Sequence, residues 1–333
     1  MADDLTGALD AAAPFATFAH PVHLALSRPL DHEKQTISTE SRELPLEAAC
    51  ASVRRAFDTF RLGSNGRTLW FKKVDSVLRG WPVEETLELM RCLDLPNCVF
   101  APAFPEMGRR TVEGRHEVAG ADRGGSWSPA AVHDLREAFT AAGARVTMLG
   151  ERGVTSGVMI GNAREPGDLR ELVAQAPGRG VLWAGSRGLA EALCSPRPPI
   201  AIPPVAVVIL GTNHPTTRRQ AMRLRESSLA KAVTVIDPVP TSADAMETVR
   251  RIGQELAVMN SPGESALVVV GGNTLTAVLE AVDAASLACR GEIGPGLPVS
   301  TISRGRFDGV TLITKSGGFG GADLLACVWG GTV

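Results

Sequence analysis

Two adjacent aspartates, Asp3 and Asp4, stand just before a helical pattern that begins near Leu5. An aspartate in this position caps a helix and interacts favourably with the helix dipole. One carboxylate is enough for that purpose. Because neighbouring side chains at a turn point in different directions, the second carboxylate would be free to act as a general base or a metal ligand. The pair therefore predicts either a capped helix or a catalytic turn.

A second group of polar side chains ends the apolar strand predicted at residues 69–74. Its members are Lys72, Lys73, Asp75, Ser76 and Arg79. An arginine binds a carboxylate through two parallel hydrogen bonds, and an aspartate orients a hydroxyl group. The group is therefore typical of a site for a polyhydroxy carboxylate. A salt-bridged turn is the structural alternative.

A third polar segment covers residues 101–111, where two prolines stiffen a loop that carries Arg109 and Arg110. A loop constrained in this way is expected to shape a site. His116 and His214 are isolated histidines, which are more often structural than catalytic, so neither is assigned to the predicted site.

Three glycine-rich loops follow predicted strands in the second half, at residues 211–217, 271–274 and 315–321. In an open α/β sheet, ligands bind beyond the carboxyl ends of the strands, and helix N-termini favour phosphate. Each loop alone is ordinary turn chemistry, but three in one domain predict a nucleotide pocket. Lys315 could offer a point charge to phosphate, or lie at the surface. Neither the P-loop spacing nor the Rossmann glycine pattern is present.

These segments are positioned by apolar β-rich runs that alternate with amphipathic helices, which is typical of an α/β fold. Five prolines at residues 195–204 deny hydrogen-bond donors to a helix or a central strand. We expect two domains, each with a mostly parallel sheet flanked by helices. The predicted boundaries are residues 1–195 for the first domain, 196–204 for a Pro-rich linker and 205–333 for the second domain.

Composition narrows the range of functions. With 34 basic and 36 acidic residues, the chain lacks the basic excess of a nucleic-acid-binding protein. The six cysteines have no metal-site or redox spacing and are predicted to be buried reduced thiols. No apolar run is long enough to span a membrane, and no export leader is evident, so the cytoplasm is the expected location.

The polar segments and glycine loops together resemble those of the four-carbon acid sugar kinases. The resemblance spans nearly the whole chain, and its motifs lie at residues 2–8, 72–80, 101–109, 184–190, 271–274, 291–298 and 314–320. It implies an N-terminal substrate domain, a C-terminal nucleotide domain and an active cleft between them. It also implies ATP-dependent phosphorylation of a hydroxyl on threonate, erythronate or a 3-oxo-tetronate-like acid, with Mg²⁺ accompanying ATP. A homodimer is a candidate assembly.

The resemblance assigns roles to individual residues. The residues expected to contact the sugar acid are Asp3, Asp4, Arg42, Lys73, Asp75, Ser76 and Arg109. Asp4 or Asp75 is expected to be the base, and Arg79 or Arg109 is expected to lie near the transferred phosphate. The residues expected to bind the nucleotide are Thr212, Gly271, Gly272, Asn273, Thr274, Lys315, Gly317 and Gly318. No metal ligand is assigned.

The sequence also departs from the family pattern. An apolar strand usually precedes the aspartate pair, whereas here only Met1 and Ala2 stand before it. Further departures are Pro14, Thr212 in place of serine, and Asn162 in place of aspartate. A homologue that binds ligands without turnover is therefore one alternative function. A nicotinamide-dependent oxidoreductase is another, and the missing Rossmann glycine pattern argues against it.

Overall fold

The computed structural model describes residues 1–26, 30–59, 68–120, 126–151, 156–176, 180–242 and 244–328. Within these ranges the α-helices are α1 (Leu5–Ala12), α2 (Leu46–Thr59), α3 (Pro82–Leu93), α4 (Leu135–Ala141), α5 (Pro166–Gln175), α6 (Arg187–Ala192), α7 (Pro215–Glu226), α8 (Ala245–Val258), α9 (Gly272–Ala281) and α10 (Leu324–Cys327). The strands are β1 (Val22–Ala25), β2 (Gln35–Ile37), β3 (Trp70–Lys73), β4 (Asn97–Ala101), β5 (Arg109–Val112), β6 (Arg115–Ala119), β7 (Trp127–Asp134), β8 (Val146–Met148), β9 (Gly157–Ile160), β10 (Val181–Gly185), β11 (Val205–Leu210), β12 (Thr234–Ile236), β13 (Ala266–Val270), β14 (Ser286–Glu292), β15 (Pro298–Ser303) and β16 (Thr311–Lys315).

The chain forms two compact units. The first unit contains Met1–Gly7 and Ser38–Pro196, and the second contains Ala8–Ile37 and Arg197–Val333. The predicted division at residues 196–204 therefore misses an early excursion of the chain into the second unit. The physical reason is strand pairing, because β1 pairs antiparallel with β14 and parallel with β2. Pairing between strands so far apart in the sequence cannot be predicted from the local sequence pattern.

A five-stranded sheet in the order β3-β10-β4-β9-β8 forms the centre of the first unit, and all of its neighbouring strands are parallel. Alternate residues of β4 belong to different hydrophobic clusters: Phe100 packs in a cluster with Leu89 of α3, and Val99 packs in one with Leu172 of α5. A strand buried on both faces is an almost continuous apolar run. The predicted α/β class is confirmed.

A separate antiparallel sheet in the order β5-β6-β7 was not predicted, and its first strand includes residues 109–111 of the predicted loop. A two-residue turn at Glu113 and Gly114 joins the first two strands, and both turn residues have positive φ, as a tight hairpin requires. Arg110 faces Glu117 across the strand pair, with Nε donating to Oε2 at 2.7 Å. Polar cross-strand pairs replace the alternating apolar pattern that usually identifies a strand.

The second unit is built on an eight-stranded sheet in the order β12-β11-β13-β16-β15-β14-β1-β2. The pairs within β12-β11-β13-β16 are all parallel, as predicted, whereas β15 and β14 add antiparallel pairs. The strands β14 and β15 were not predicted. Residues 195–204 form neither helix nor strand, consistent with their prolines.

The six cysteines are free thiols, and Cys98 and Cys289 are buried. Cys327 is exposed, so the prediction of burial is wrong for that residue. In the part of the chain that the structure describes, no helix combines the length and the apolar character needed to cross a membrane.

A buried ion pair attaches α3 to the five-stranded sheet. Lys72 of β3 places Nζ 2.7 Å from Oε2 of Glu85, and each side chain is 1% exposed. Successive strand residues point to opposite faces, so Lys72 enters the core while its neighbour Lys73 faces the other way. Lys72 is therefore a structural residue, although its sequence context places it in a polar cluster.

We predict that Lys72→Met lowers the free energy of unfolding by about 3–5 kcal/mol, because the Glu85 carboxylate would remain buried without its cation. The double variant Lys72→Met/Glu85→Met should recover most of this loss, since two methionines fill a similar volume. Urea unfolding of the single and double variants measures both effects. A double variant no more stable than the single one would contradict the assigned role of the pair.

Candidate functional site

Arg42 binds both aspartates of the N-terminal turn through its planar guanidinium. Nε and Nη2 donate to the Asp3 carboxylate at 2.8 and 2.9 Å, and Nη2 and Nη1 donate to the Asp4 carboxylate at 2.9 and 3.1 Å. All three side chains are at most 17% exposed. The sequence analysis left open a free second carboxylate, whereas one arginine binds both aspartates in the structure.

Backbone contacts also hold the turn of Asp3 and Asp4 in place. Ala2 forms parallel bridges to Lys73 and Ser38, and the amide of Ser41 donates to the Asp3 carbonyl at 3.0 Å. Asp4 then caps α1 by accepting from the Gly7 amide at 2.8 Å. The predicted capping role therefore belongs to Asp4, which combines it with the contact to Arg42.

Asp75 organises a second turn directly after β3. Its carboxylate accepts from the Val77 and Arg79 amides, both at 3.2 Å, and from Nε and Nη2 of Arg79 at 3.0 and 2.8 Å. Nη2 of Arg42 lies 3.9 Å from the same carboxylate. The two predicted turns are therefore brought together, with Arg42 between them. We call Asp3, Asp4, Arg42, Asp75 and Arg79 the acidic cluster.

The charges of the acidic cluster set its proton affinities. Burial alone would raise the pKa of Asp3 and Asp75, but hydrogen bonds from Arg42 and Arg79 and their positive charges lower both pKa values. Burial alone would lower the pKa of Arg42, yet the three carboxylates raise it. Asp3, Asp75 and Arg42 are therefore charged at neutral pH, and neither Asp3 nor Asp75 is a strong base in this state.

The remaining predicted acid contacts surround the Asp75 turn. Lys73 is buried and donates from Nζ to the Val74 carbonyl at 2.8 Å. The Ser76 hydroxyl is half-buried and has no hydrogen-bond partner among the described residues, so it can accept or donate to a ligand. Arg79 is the most open of the cations, with 59% of its side chain exposed.

Arg109 lies on β5, where its guanidinium donates to the Met107 carbonyl. Its charge reaches His116 and helps to lower the pKa of that imidazole, after the larger effect of burial. Arg110, the second arginine of the segment, has a structural role: besides pairing with Glu117, its guanidinium stacks 3.8 Å from the centre of the Trp127 ring.

A cavity of about 330 Å³ also lies in the first unit, lined by Thr111, Asn162, Arg164 and side chains of α5. It includes none of the predicted site residues. Asn162 Oδ1 accepts from the Gly114 amide at 3.0 Å and so holds the β5–β6 turn. An aspartate could accept the same hydrogen bond, which explains how asparagine replaces it here.

The three glycine loops of the second unit meet at the carboxyl ends of β11, β13 and β16. A Cβ atom at Gly211 would lie 2.1 Å from Thr274 Oγ1, and one at Gly317 would lie 3.0 Å from Thr212 Oγ1. Gly271 has a φ of 108° and precedes α9. Glycine is required because the loops approach one another too closely for side chains.

Two helices of the second unit begin at these loops. His214 caps α7, with Nδ1 accepting from the Thr216 amide at 3.2 Å, and its ring packs against Gly318. Gly271 precedes the first residue of α9, and Asn273 and Thr274 lie in its first turn. Helix N-termini beside glycine loops form an environment that favours phosphate.

Lys315 stabilises the third loop, residues 315–321, from its buried side. Its side chain is 1% exposed, and Nζ donates to the carbonyls of Ser316 at 2.8 Å and Phe319 at 3.0 Å. The alternative of a surface lysine is therefore wrong. Burial lowers the pKa of Lys315 to about 7, so the charge of this group responds to pH near neutrality.

Resident metal ligands are not evident in the described residues, which contain no group of three or more His, Cys, Asp and Glu side chains arranged around a metal. The best-placed carboxylates, Asp3 and Asp4, are already occupied by Arg42. This donor set does not resemble a closed cation cage, and it is compatible with a metal that arrives on substrate phosphates.

Two protein families match the parts of the chain that contain the acidic cluster and two of the three glycine loops. Residues 1–136 match the family described as a sugar-binding N-terminal domain, and residues 239–325 match a nucleotide-binding C-terminal domain. A D-threonate kinase of Cupriavidus necator is 28% identical, over 99% of this chain and 96% of that protein. A D-threonate kinase of Bordetella bronchiseptica is 26% identical, over 98% and 95%.

A 3-oxo-tetronate kinase of Pseudomonas fluorescens is 31% identical over 51% of this chain and 44% of its own length. Among solved structures, one from Salmonella typhimurium LT2 has a TM-score of 0.72 at 20% identity, covering 98% of this chain and 97% of that one. A Haemophilus influenzae structure has a TM-score of 0.70 at 19% identity, with the same coverage. These two structures support the fold alone.

We predict that Arg42→Met destabilises the protein by about 3–5 kcal/mol at pH 7, because buried carboxylates lose their shared cation. Without Arg42, burial raises the pKa of Asp3 above its unfolded value, so the variant should gain stability as the pH falls from 7 towards 5. In the wild type the lowered pKa of Asp3 gives stability that is lost only in stronger acid. Urea unfolding at both pH values measures this.

Arg91→Met is the matched control for Arg42→Met, because Arg91 is 65% exposed and its partner Glu88 also pairs with Arg54. Its loss should cost less than about 1 kcal/mol at either pH. An Arg42→Met variant as stable as this control would contradict the central role of Arg42.

We predict that wild-type stability rises with pH above about 7 because of Lys315. Its folded pKa is about 7 against an ordinary value of 10.5, so within this window the unfolded chain binds more protons than the folded protein. Lys315→Met should remove the rise, whereas Lys231→Met, at an exposed lysine, should retain it. Urea unfolding between pH 7 and 9 tests this, and the same slope in both variants would contradict it.

Proposed function

The chain belongs to the four-carbon acid sugar kinase family, and we propose that it transfers the γ-phosphate of ATP to a hydroxyl of a four-carbon sugar acid. The observation that carries the proposal is the acidic cluster, in which Arg42 joins the turns of Asp3-Asp4 and Asp75. Cations, carboxylates and an open hydroxyl lie together there, as recognition of a small polyhydroxy acid requires.

Arg79 is the group that we propose to bind the substrate carboxylate. It is the most exposed cation of the cluster, and its guanidinium has the geometry for a bidentate contact with a carboxylate. Ser76 and Lys73 lie on the same turn, and the free hydroxyl of Ser76 suits a substrate hydroxyl. Arg109 remains a proposed contact from the neighbouring antiparallel sheet.

We propose Asp75 as the general base. Arg79 lowers its pKa through two hydrogen bonds, so a substrate carboxylate that competes for Arg79 would raise the proton affinity of Asp75. Substrate binding would thus activate the base. Asp4 is less suitable, because it also caps α1 and accepts from Gly7 and Thr6.

The glycine loops of the second unit are the proposed ATP site. Thr212, Gly271, Gly272, Asn273 and Thr274 lie at two of the loops, with backbone amides available for phosphate oxygens. Gly317 and Gly318 form the third loop, shaped from beneath by Lys315. A bound polyphosphate would favour the charged form of Lys315 and so strengthen the site.

Phosphoryl transfer requires a positioned hydroxyl, a positioned γ-phosphate and charge stabilisation, without a covalent enzyme intermediate. The chain supplies the first through the acidic cluster and the second through the glycine loops. Magnesium bound to ATP would neutralise phosphate charge, in agreement with the lack of a protein cage among the described residues.

Threonate is the first substrate to test, because the relatives that match over nearly the whole chain are named D-threonate kinase. The 3-oxo-tetronate kinase matches only half of the chain. Discrimination between these acids depends on hydrogen bonds to individual hydroxyls, which are strongly selective when buried.

We predict that the wild-type protein forms ADP from ATP and Mg²⁺ when D-threonate is present, with weaker activity on erythronates or 3-oxo-tetronate. Coupled ADP detection across the D and L acids measures this. Asp75→Asn should lower kcat at least a hundredfold, as expected for loss of a general base, with a small change in the KM for ATP. Asp58→Asn, at an exposed position on α2, is the matched control.

The same experiment separates the alternatives. Thermal stabilisation by ATP and an acid without ADP formation would indicate a ligand-binding homologue rather than a kinase. Stabilisation by a nicotinamide nucleotide alone would indicate an oxidoreductase. Wild-type kcat in Asp75→Asn would overturn the assignment of the base while leaving the kinase activity itself in place.

A further inference from the structure

His116 is the second residue of β6, and its side chain is fully buried. Nε2 is 2.9 Å from the backbone carbonyl of Ser76, and Nδ1 is 3.0 Å from Oγ1 of Thr111, which is also fully buried. The imidazole therefore connects the antiparallel sheet to the Asp75 turn. Neither histidine nor threonine was part of the predicted site.

The partners of the ring determine its tautomer. A carbonyl oxygen can only accept, so Nε2 must carry a proton, and the neutral ring then accepts the Thr111 hydroxyl proton at Nδ1. Burial is the largest effect and lowers the pKa of His116, as does the charge of Arg109, while hydrogen bonds to the backbone of Ser76 and Arg110 and the carboxylate of Asp75 act in the opposite direction. The ring is thus held neutral in one orientation.

The turn that His116 contacts is unusual in its backbone. Leu78 is fully buried and has a φ of 61°, in the left-handed region that non-glycine residues seldom adopt. The amide of Ala131 on β7 donates to the Val77 carbonyl at 3.2 Å. Two consecutive carbonyls, those of Ser76 and Val77, are therefore held by the antiparallel sheet.

From these contacts we infer that His116 is a positioning residue for the sugar acid: through its hydrogen bond to the Ser76 carbonyl, it fixes the Ser76 hydroxyl and the Asp75 carboxylate in their binding geometry. This inference rests on the proposed function for the ligand that the turn receives. It assigns the antiparallel sheet a second role beside the proposed Arg109 contact, namely support of the Asp75 turn.

A purely structural histidine would make a different prediction. Its loss would lower overall stability and the amount of folded enzyme, without a selective change in affinity for one substrate. A positioning residue changes the KM for the acid and leaves the KM for ATP unchanged, because the turn belongs to the first unit and the glycine loops belong to the second.

The test compares His116→Phe with His116→Gln. Phenylalanine approximates the ring shape but donates no hydrogen bond, whereas the amide nitrogen of glutamine is as many bonds from Cβ as Nε2 is. We expect His116→Phe to raise the KM for the acid at least tenfold, with the KM for ATP within twofold of wild type. His116→Gln should restore most of the affinity for the acid.

His133→Phe is the matched control, because His133 lies on β7 and donates from Nδ1 to the His116 carbonyl without contacting the Asp75 turn. It should leave the KM for the acid unchanged. If His116→Phe retains the wild-type KM, or if both substrates lose affinity equally, the positioning role is wrong.

A second measurement is independent of catalysis. Imidazole ¹⁵N spectra of the wild type between pH 6 and 8 should show a neutral ring with its proton on Nε2, assigned by its absence in His116→Phe. Amide shifts of Val77 and Gly80 should move in His116→Phe and return in His116→Gln. A protonated ring, or an unmoved turn, would overturn the inference, whereas a lack of turnover by the wild type would overturn only the proposed function.

Discussion

Three carboxylates share one guanidinium in the first unit, and the arrangement of its polar residues depends on that charge. Burial would raise the pKa values of Asp3 and Asp75 if no cations lay beside them. With Arg42 in place, two turns from different parts of the chain are held in one ionised cluster. The same charge keeps the carboxylates weakly basic until a ligand changes their partners, which connects stability to the proposed chemistry.

In the second unit, backbone groups rather than carboxylates determine how the polar loops are arranged. Gly211, Gly271 and Gly317 allow three loops to approach within contact distance of threonine side chains, and Lys315 binds the carbonyls that the third loop turns inward. The hydrogen-bond partners of Lys315 Nζ are carbonyl oxygens. Burial lowers the pKa of Lys315 to about 7, so this group gains or loses its proton near neutral pH. Its charge is therefore well suited to respond to a polyphosphate ligand.

The sequence alone was sufficient to predict the structural features that depend on local patterns. Buried parallel strands such as β4 and β13 are continuous apolar runs, and the glycine loops stand directly after strands, so both could be predicted. Local patterns predicted Asp3-Asp4 and Asp75 only as two separate polar turns, and the family resemblance assigned them with Arg42 to one substrate site. The β5–β7 sheet was missed because its cross-strand pairs are mostly polar. His116 was set aside as an isolated histidine, because its contact with a carbonyl forty residues away leaves no local pattern.

The pairing of β1 with β14 has a consequence for the order of synthesis. Strand β1 is made well before its antiparallel partner β14. It can pair with β2 early, but its other edge has no partner until β14 has been made. An intermediate with an exposed strand is a natural site for misassociation, so this early segment is where a chaperone would have most to protect.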